Sequence, residues 1–388
     1  MLFRSIKKLT LKNYRNYKSS EFKFINGINI LVGMNAQGKT NAAEAVFYLC
    51  TGYSPRATRD KQLILNGEKS ATAKIEAETR FGSVSVEAEI GEGGKDIKVN
   101  GVKIARAGEL MGNVNSVFFN PGELKLIQES PEDRRRFMDV AISQMNKNYF
   151  YALQKYRKVL DQRGELLKSD DKEVIYETLP FWDEKLCEYA GVIIKERVDF
   201  IKDLKPLFLG AMASVSGGGE KVSLTHEAAY LTAADEETVG SGDGGCADII
   251  SDGLTANDYS RILYNVLRGR VDKDVKLGYT GAGPHRDDLK IKINGADVRI
   301  YGSQGQQRTA SLALKLAELE IFKAKFNEYP VLILDDAFSE LDKTRRERLV
   351  ERVKNLQTII TVTDLDGLKL SGEKKIFYVS GGNIVDEK

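Results

Sequence analysis

The order of apolar and polar positions changes its period several times along this chain, and each change marks an element. Leu9, Leu11 and Tyr14, followed by Phe22 and Phe24, open two strands. The run Ile28-Asn29-Ile30-Leu31-Val32 reads as a buried strand, and Gly33 to Lys39 as a glycine-bearing turn. Over Thr40–Cys50, Ala42, Ala45, Val46 and Leu49 recur at about 3.6 residues, the helical period. Residues 71–104 switch to period two. Ala73, Ile75 and Ala77 alternate with Lys74, Glu76 and Glu78, and Val84, Val86, Ala88 and Ile90 alternate with Ser85, Glu87 and Glu89. Ile97 and Val99 precede Asn100-Gly101, a two-residue hairpin turn, so this stretch predicts a small antiparallel sheet with one wet face.

Residues 131–212 read as mostly helical, with dense charge and no sustained heptad repeat. The basic residues there include Arg134, Arg135 and Arg136, and the aromatic residues Tyr149, Phe150, Tyr151 and Tyr156 fit a helical core better than a base-stacking surface. Residues 213–257 are glycine-rich and acidic, with Gly217-Gly218-Gly219, Gly240 to Gly245 and Asp235-Glu236-Glu237, and predict a loop-rich surface insertion. Order returns after residue 258. Leu289, Ile291 and Ile293 alternate up to Asn294-Gly295, and Val298 and Ile300 predict the return strand. A helix is predicted from about Gln306 to Phe326, with Leu312, Leu316, Leu319 and Phe322 on one face. Val331–Leu334 is a second buried strand. Thr358–Thr363 is a third, after a charged helix containing Arg345, Arg346 and Arg348.

Composition narrows this picture. At 388 residues the chain has room for two or three domains, or for one large domain with an insertion. Lys plus Arg is 58 and Asp plus Glu is 56, so a nucleic-acid or anionic partner has to be met by a local patch rather than by total charge. Three separated cysteines and two histidines argue against a disulfide framework or a structural zinc and fit a reducing, cytoplasmic setting. The apolar runs are of strand length, so no membrane partner is expected.

Three motifs carry the chemistry. Gly33-Met34-Asn35-Ala36-Gln37-Gly38-Lys39-Thr40 matches GxxxxGK[ST], with an apolar strand before it and a helix after it. Glycines let such a loop wind around phosphate oxygens, backbone N–H groups and a helix N-terminus point at the anion, Lys39 reaches the β and γ phosphates, and the Thr40 hydroxyl holds Mg²⁺. In Val331-Leu332-Ile333-Leu334-Asp335-Asp336 a buried strand delivers a carboxylate at its end. Asp335 is placed to complete the Mg²⁺ shell, and Asp336 either serves as general base or caps the turn. Ser339-Glu340-Leu341-Asp342 follows closely. Tyr301-Gly302-Ser303-Gln304-Gly305-Gln306-Gln307-Arg308 opens a long helix, where Ser303 is either an ordinary N-cap or part of a second anion site.

Together these motifs resemble the ABC-type ATPase heads of the SMC, Rad50 and RecF group. The RecF branch is matched by Lys12-Asn13-Tyr14-Arg15-Asn16-Tyr17, the phosphate loop through Asn41, Gly52-Tyr53-Ser54-Pro55-Arg56 and Pro131 to Asp139. It is matched further by Gly283-Pro284-His285-Arg286-Asp287-Asp288, Ser303 to Thr309 and Asp335 to Asp342. The resemblance implies an α/β fold: an ABC-type P-loop ATPase head built from residues 1–130 and 276–388, with a mostly helical lobe, 131–275, inserted between them and no long coiled coil. It implies ATP and Mg²⁺ as cofactors, with Gly33 to Asn41, Ser303, Gly305 and Gln306 around the nucleotide and Thr40 and Asp335 at the metal. Lys39, Asp336 and Ser303 would act in catalysis. Two copies would close around two ATP molecules, with Ser303 of one against the γ-phosphate held by Lys39 of the other and Asp342 at the interface. The expected role is in recombinational repair and replication restart, binding gapped or junction DNA and helping RecO and RecR load RecA.

Departures from the wider ABC pattern point to slow hydrolysis. Asp336 stands where a longer Glu is usual, and Thr363 replaces the switch histidine. A transporter subunit, a long-armed SMC relative and a metabolite kinase fit less well. The chain lacks the switch histidine of the first and the arm of the second, and the kinase has no use for the Ser303 segment. His285 is expected to be a packed, hydrogen-bonding side chain rather than a metal ligand. The arginines at 134–136 either touch DNA phosphates or, preferably, pair with Glu132, Asp133 and Asp139.

Overall fold

The buried apolar runs lie side by side. A computed structural model describes residues 5–120, 122, 125–232, 253–338, 346–347, 349–350, 356–365, 370 and 372–388. Two units emerge: Met1–Leu124 with Leu312–Lys388, and Lys125–Ser311. Residues 276–311 group with the second unit, whereas the resemblance places them in the head.

The first unit holds β1 (Ser5–Tyr14), β2 (Tyr17–Lys23), β3 (Ile28–Val32), α1 (Lys39–Thr51), β4 (Ala71–Thr79), β5 (Gly82–Gly91), β6 (Gly94–Val99), β7 (Val102–Lys103) and β8 (Ser116–Phe119). It also holds β12 (Val331–Asp335), β13 (Thr358–Val362), β14 (Lys374–Ser380) and β15 (Asn383–Glu387). One sheet runs β15-β14-β3-β13-β12-β8. Its pairs are parallel except β14 with β15. Every residue of β3, β12, β13 and β8 is buried, which is why their sequences are mostly apolar and do not alternate. The second sheet, β2-β1-β4-β5-β6-β7, is antiparallel and contains the expected 71–104 segment. The chain's first two strands widen it, with Leu9 opposite Ile75 and Leu11 opposite Ala73. The helix α1 touches strands of both sheets, and burial of Ala42, Ala45, Val46 and Leu49 matches the helical spacing.

The second unit holds α2 (Lys125–Gln128), α3 (Pro131–Met145), α4 (Lys147–Leu166), α5 (Lys172–Ser216), β9 (Val222–Glu227), α6 (Ala229–Thr232), α7 (Ala256–Arg268) and α8 (Val271–Leu277). β10 (Asp288–Ile293), β11 (Ala296–Asp297) and α9 (Val298–Tyr301) follow, and α10 (Gln304–Phe326) begins here and ends in the first unit. Two expectations are corrected. The 213–257 stretch is not loop throughout, because Val222–Glu227 pairs along its length with β10. The return strand shrinks to Ala296–Asp297, and Val298 and Ile300 lie in a short helix capped by Asp297, which accepts from Arg299 N at 2.8 Å. The segments around Asp235, Ser339–Asp342 and Arg345 lie outside the described residues.

Charge is buried in this unit by mutual satisfaction. Arg197, 2% exposed, donates to Asp139 (2.7 Å), Asp287 (2.8 Å), the Pro284 carbonyl (2.6 Å) and the Tyr149 hydroxyl (3.0 Å). Arg134 forms a two-pronged pair with Asp288 (2.5 and 2.9 Å) rather than with an acid of its own helix. Tyr149 and Tyr156 are core residues, as their helical placement suggested. His285 is packed as expected: its Nε2 donates to the Thr280 carbonyl at 3.0 Å, leaving Nδ1 to accept from the Tyr156 hydroxyl at 2.6 Å.

Candidate nucleotide site

The strand β3 ends at Val32, and the chain turns through Gly33 to Lys39 into α1. A Cβ on Gly33 would stand 2.2 Å from the Val379 carbonyl oxygen, so no larger residue fits where the loop leaves the sheet. Gly38 caps α1 in the left-handed region at φ 118° with no side-chain cap, which leaves the first-turn amides pointing into the loop. Lys39 reaches back across it, and its Nζ donates to the carbonyls of Gly33 (2.5 Å) and Met34 (2.8 Å). Burial lowers the Lys39 pKa, opposed by the charges of Asp336 and Asp335.

β13 lies between β3 and β12 in the sheet, so the loop and Asp335 emerge one strand apart at the same end. Thr40 Oγ1 donates to Asp335 Oδ1 at 2.8 Å across 295 positions of sequence. From β13, Thr361 Oγ1 donates to the same oxygen at 2.7 Å and accepts from Asp336 N at 3.0 Å. Burial raises the Asp335 pKa, and the hydrogen bonds from Thr361 and Thr40 and the charge of Arg56 pull against it. Asp336 is half-buried and sits in the left-handed region at φ 51°. A hydroxyl beside a carboxylate, both hard oxygen donors, suits Mg²⁺, so the residues present fit the metal the motif implies.

Residues known only by resemblance brace the loop. Asn16 Nδ2 donates to the Gln37 carbonyl (2.9 Å), Tyr17 Oη to the Gly38 carbonyl (2.9 Å), and Asn41 Nδ2 to Asn16 Oδ1 (2.8 Å). Gln37 is tied to the hairpin between β14 and β15, where its Oε1 accepts from Gly381 N at 2.6 Å and its carbonyl from Gly382 N at 2.9 Å. The Gln37 and Asn41 side chains thus hold the loop from outside, while Met34, Asn35 and Ala36 are exposed at its tip. Sequence reasoning missed Thr361, Gly381 and Gly382. A threonine inside the apolar run of β13 was the available signal for the first.

In the second unit, Ser303 precedes α10 and forms a reciprocal cap. Its Oγ accepts from Gln306 N at 3.2 Å while Gln306 Oε1 accepts from Ser303 N at 2.9 Å. Gln306 Nε2 donates to Glu220 at 2.9 Å, so both ends of that side chain are committed, and its backbone N–H is already given to Ser303 Oγ. Accepting a bond does not consume the O–H of Ser303, which remains a donor on an exposed residue beside a helix N-terminus. The Gly305 carbonyl takes the Thr309 hydroxyl at 2.8 Å.

A family model of the RecF/RecN/SMC N-terminal domain matches residues 5–373. Proteins named DNA replication and repair protein RecF from Alkaliphilus oremlandii and Clostridium kluyveri are each 39% identical, over 98% of this chain and 99% of their own length. The protein of that name from Halothermothrix orenii is 38% identical over 99% of both chains. Two solved structures of the recombination mediator protein RecF in the RecFOR pathway, as RecF-ATPrS and RecF-ATP, superpose with TM-scores of 0.86 and 0.85 at 34% identity. They cover 99% and 100% of this chain and 98% of their own. An Smc head bound to the C-winged helix domain of ScpA has a TM-score of 0.54 at 18% identity, covers 97% of this chain and 94% of its own, and shares the fold alone. Identity of 39% sustained over 98% of the chain goes well beyond a common architecture, and the chain belongs to the RecF family.

Proposed function

We propose that the chain is an ATP-dependent DNA-binding ATPase of recombinational repair that works as a nucleotide-gated dimer. The observation that carries this reading is the 2.8 Å contact between Thr40 and Asp335. A phosphate-loop hydroxyl and a strand-end carboxylate 295 positions apart meet where a magnesium nucleotide needs them. When bound, Mg²⁺ would neutralise phosphate charge. Lys39 then binds the β and γ phosphates, Thr40 and Asp335 hold the metal, and Asp336, kept on its turn by Thr361, orients the attacking water. Ser303 of a second copy donates its hydroxyl to the γ-phosphate, with Gly305 and Gln306 beside it at the start of α10. Hydrolysis is slow, because Asp336 is one methylene shorter than a glutamate and Thr363 cannot replace an imidazole. The DNA partner is gapped or junction duplex, RecO and RecR are the assisting proteins, and the setting is the cytoplasm. The relatives' names support the role in DNA replication and repair, and the RecFOR context of the solved structures supports RecO and RecR as partners.

Two measurements test the reading. ATP hydrolysis should rise when gapped duplex is added, and ATP should drive dimerisation of the wild type but not of Ser303→Arg. Asp336→Asn should accumulate an ATP-bound dimer. Oligomerisation that ignores both ATP and the Ser303 substitution would sink the model.

A further inference from the structure

Among the large apolar side chains exposed to solvent, two sets flank the proposed nucleotide contacts. Ile300 is 60% and Tyr301 74% exposed, at the end of α9. That helix is held firmly: Val298 is buried, Gln307 Nε2 donates to the carbonyls of Val298 (3.1 Å) and Arg299 (3.4 Å), and Gln128 fixes Gln307 at 2.8 Å. A segment so tethered usually turns its large apolar side chains inward. The other is Met34, 74% exposed at the tip of the phosphate loop, whose carbonyl accepts from Lys39.

We infer that Met34 of one copy packs against Ile300 and Tyr301 of a second copy, forming an apolar collar over the γ-phosphate. This rests on the proposed placement of Ser303 against the phosphate held by Lys39 of the other copy. Tyr301 stands two residues from Ser303, within about 7 Å of backbone. Met34 is joined to Lys39 through its own carbonyl. Any closure that brings Ser303 to that phosphate brings these side chains within reach of one another. A thioether against an aromatic ring is a favourable contact, and two-fold closure makes it twice. The collar excludes bulk water around the phosphate and lowers the local dielectric, which strengthens the pull of Lys39 on it.

Sedimentation of the full chain with a non-hydrolysable ATP analogue tests the contact. Tyr301→Ser and Met34→Ser should each weaken dimerisation about tenfold. The double variant should lose clearly less than the hundredfold product, because both changes remove one contact. Tyr301→Phe should dimerise as the wild type does. Single variants that dimerise with wild-type affinity overturn the inference, as does a full product in the double variant. So does loss of DNA binding in Tyr301→Ser with dimerisation intact, which would assign Tyr301 to nucleic acid. A wild-type chain that stays monomeric with the analogue refutes the dimer reading itself, a result distinct from variants that match a dimerising wild type.

Discussion

Glu44, fully buried inside α1, is held by the Arg15 guanidinium through contacts of 3.0, 3.0 and 3.1 Å, and Ser54 donates to the same carboxylate. Arg15 lies in the turn between β1 and β2, whose next two residues, Asn16 and Tyr17, brace the phosphate loop. The ion pair therefore pins the bracing turn to the helix that the loop begins. Removing Arg15 alone would leave a buried carboxylate unpaired. Arg15→Ala should cost about 3–5 kcal/mol in denaturant unfolding, while Arg15→Ala with Glu44→Gln should recover part of that loss. A single variant within about 0.5 kcal/mol of wild type would show the pair to be unimportant.

Asp335 gives a stability test whose sign is opposite to that of most carboxylates. Burial holds its pKa above the usual value, so the folded chain binds this proton more tightly than the unfolded one. Its contribution is present below the unfolded pKa of about 3.9 and is lost as pH rises through the folded value. At neutral pH the ionised group is a net cost, tolerated for function. Asp335→Asn should abolish hydrolysis yet raise stability by about 1 kcal/mol at pH 7.5, with the gain shrinking toward pH 4. Calorimetry at the two pH values decides it, and a variant less stable at pH 7.5 contradicts the argument.

His285 behaves conventionally and can be read separately. Burial pushes its pKa down to about 4, so it is neutral in the fold while the unfolded chain protonates near pH 6.5. Stability from this group is present above pH 6.5 and lost as pH falls through about 4, a loss of about 3 kcal/mol. His285→Gln should flatten the stability profile over that interval, and an unchanged acid limb would place the titration elsewhere.

Gly33→Ala should abolish nucleotide binding without unfolding the chain. The added carbon would meet the Val379 carbonyl at 2.2 Å, and backbone on both sides leaves the loop as the part that moves. Lost binding of a fluorescent ATP analogue, beside an unfolding free energy lowered by about 1–3 kcal/mol, is the expected pair of results. Wild-type affinity would mean the loop tolerates the shift.

Much of this architecture was legible because its signals are local. The phosphate loop between β3 and α1, the acid after Leu334 and the alternation in each strand of 71–104 announce themselves within a dozen residues. What escaped depends on distant partners. Nothing near Leu9 says that it pairs with Ile75, and nothing near Val222 says that it pairs with Ile293. Ile300 alternates like a strand residue, yet Gln307 holds the preceding carbonyls in a helical turn. Gln37 reads as a ligand contact but spends its side-chain oxygen on Gly381, because loop and hairpin meet only in the folded sheet.

The order β15-β14-β3-β13-β12-β8 sets a timetable for synthesis. The strand that carries the phosphate loop takes both its neighbours, β13 and β14, from residues 358–380. A ribosome that has made the first three hundred residues has released the loop and its helix but neither strand beside them. The chain cannot capture nucleotide, and so cannot pair with another copy through it, until almost all of it has been translated.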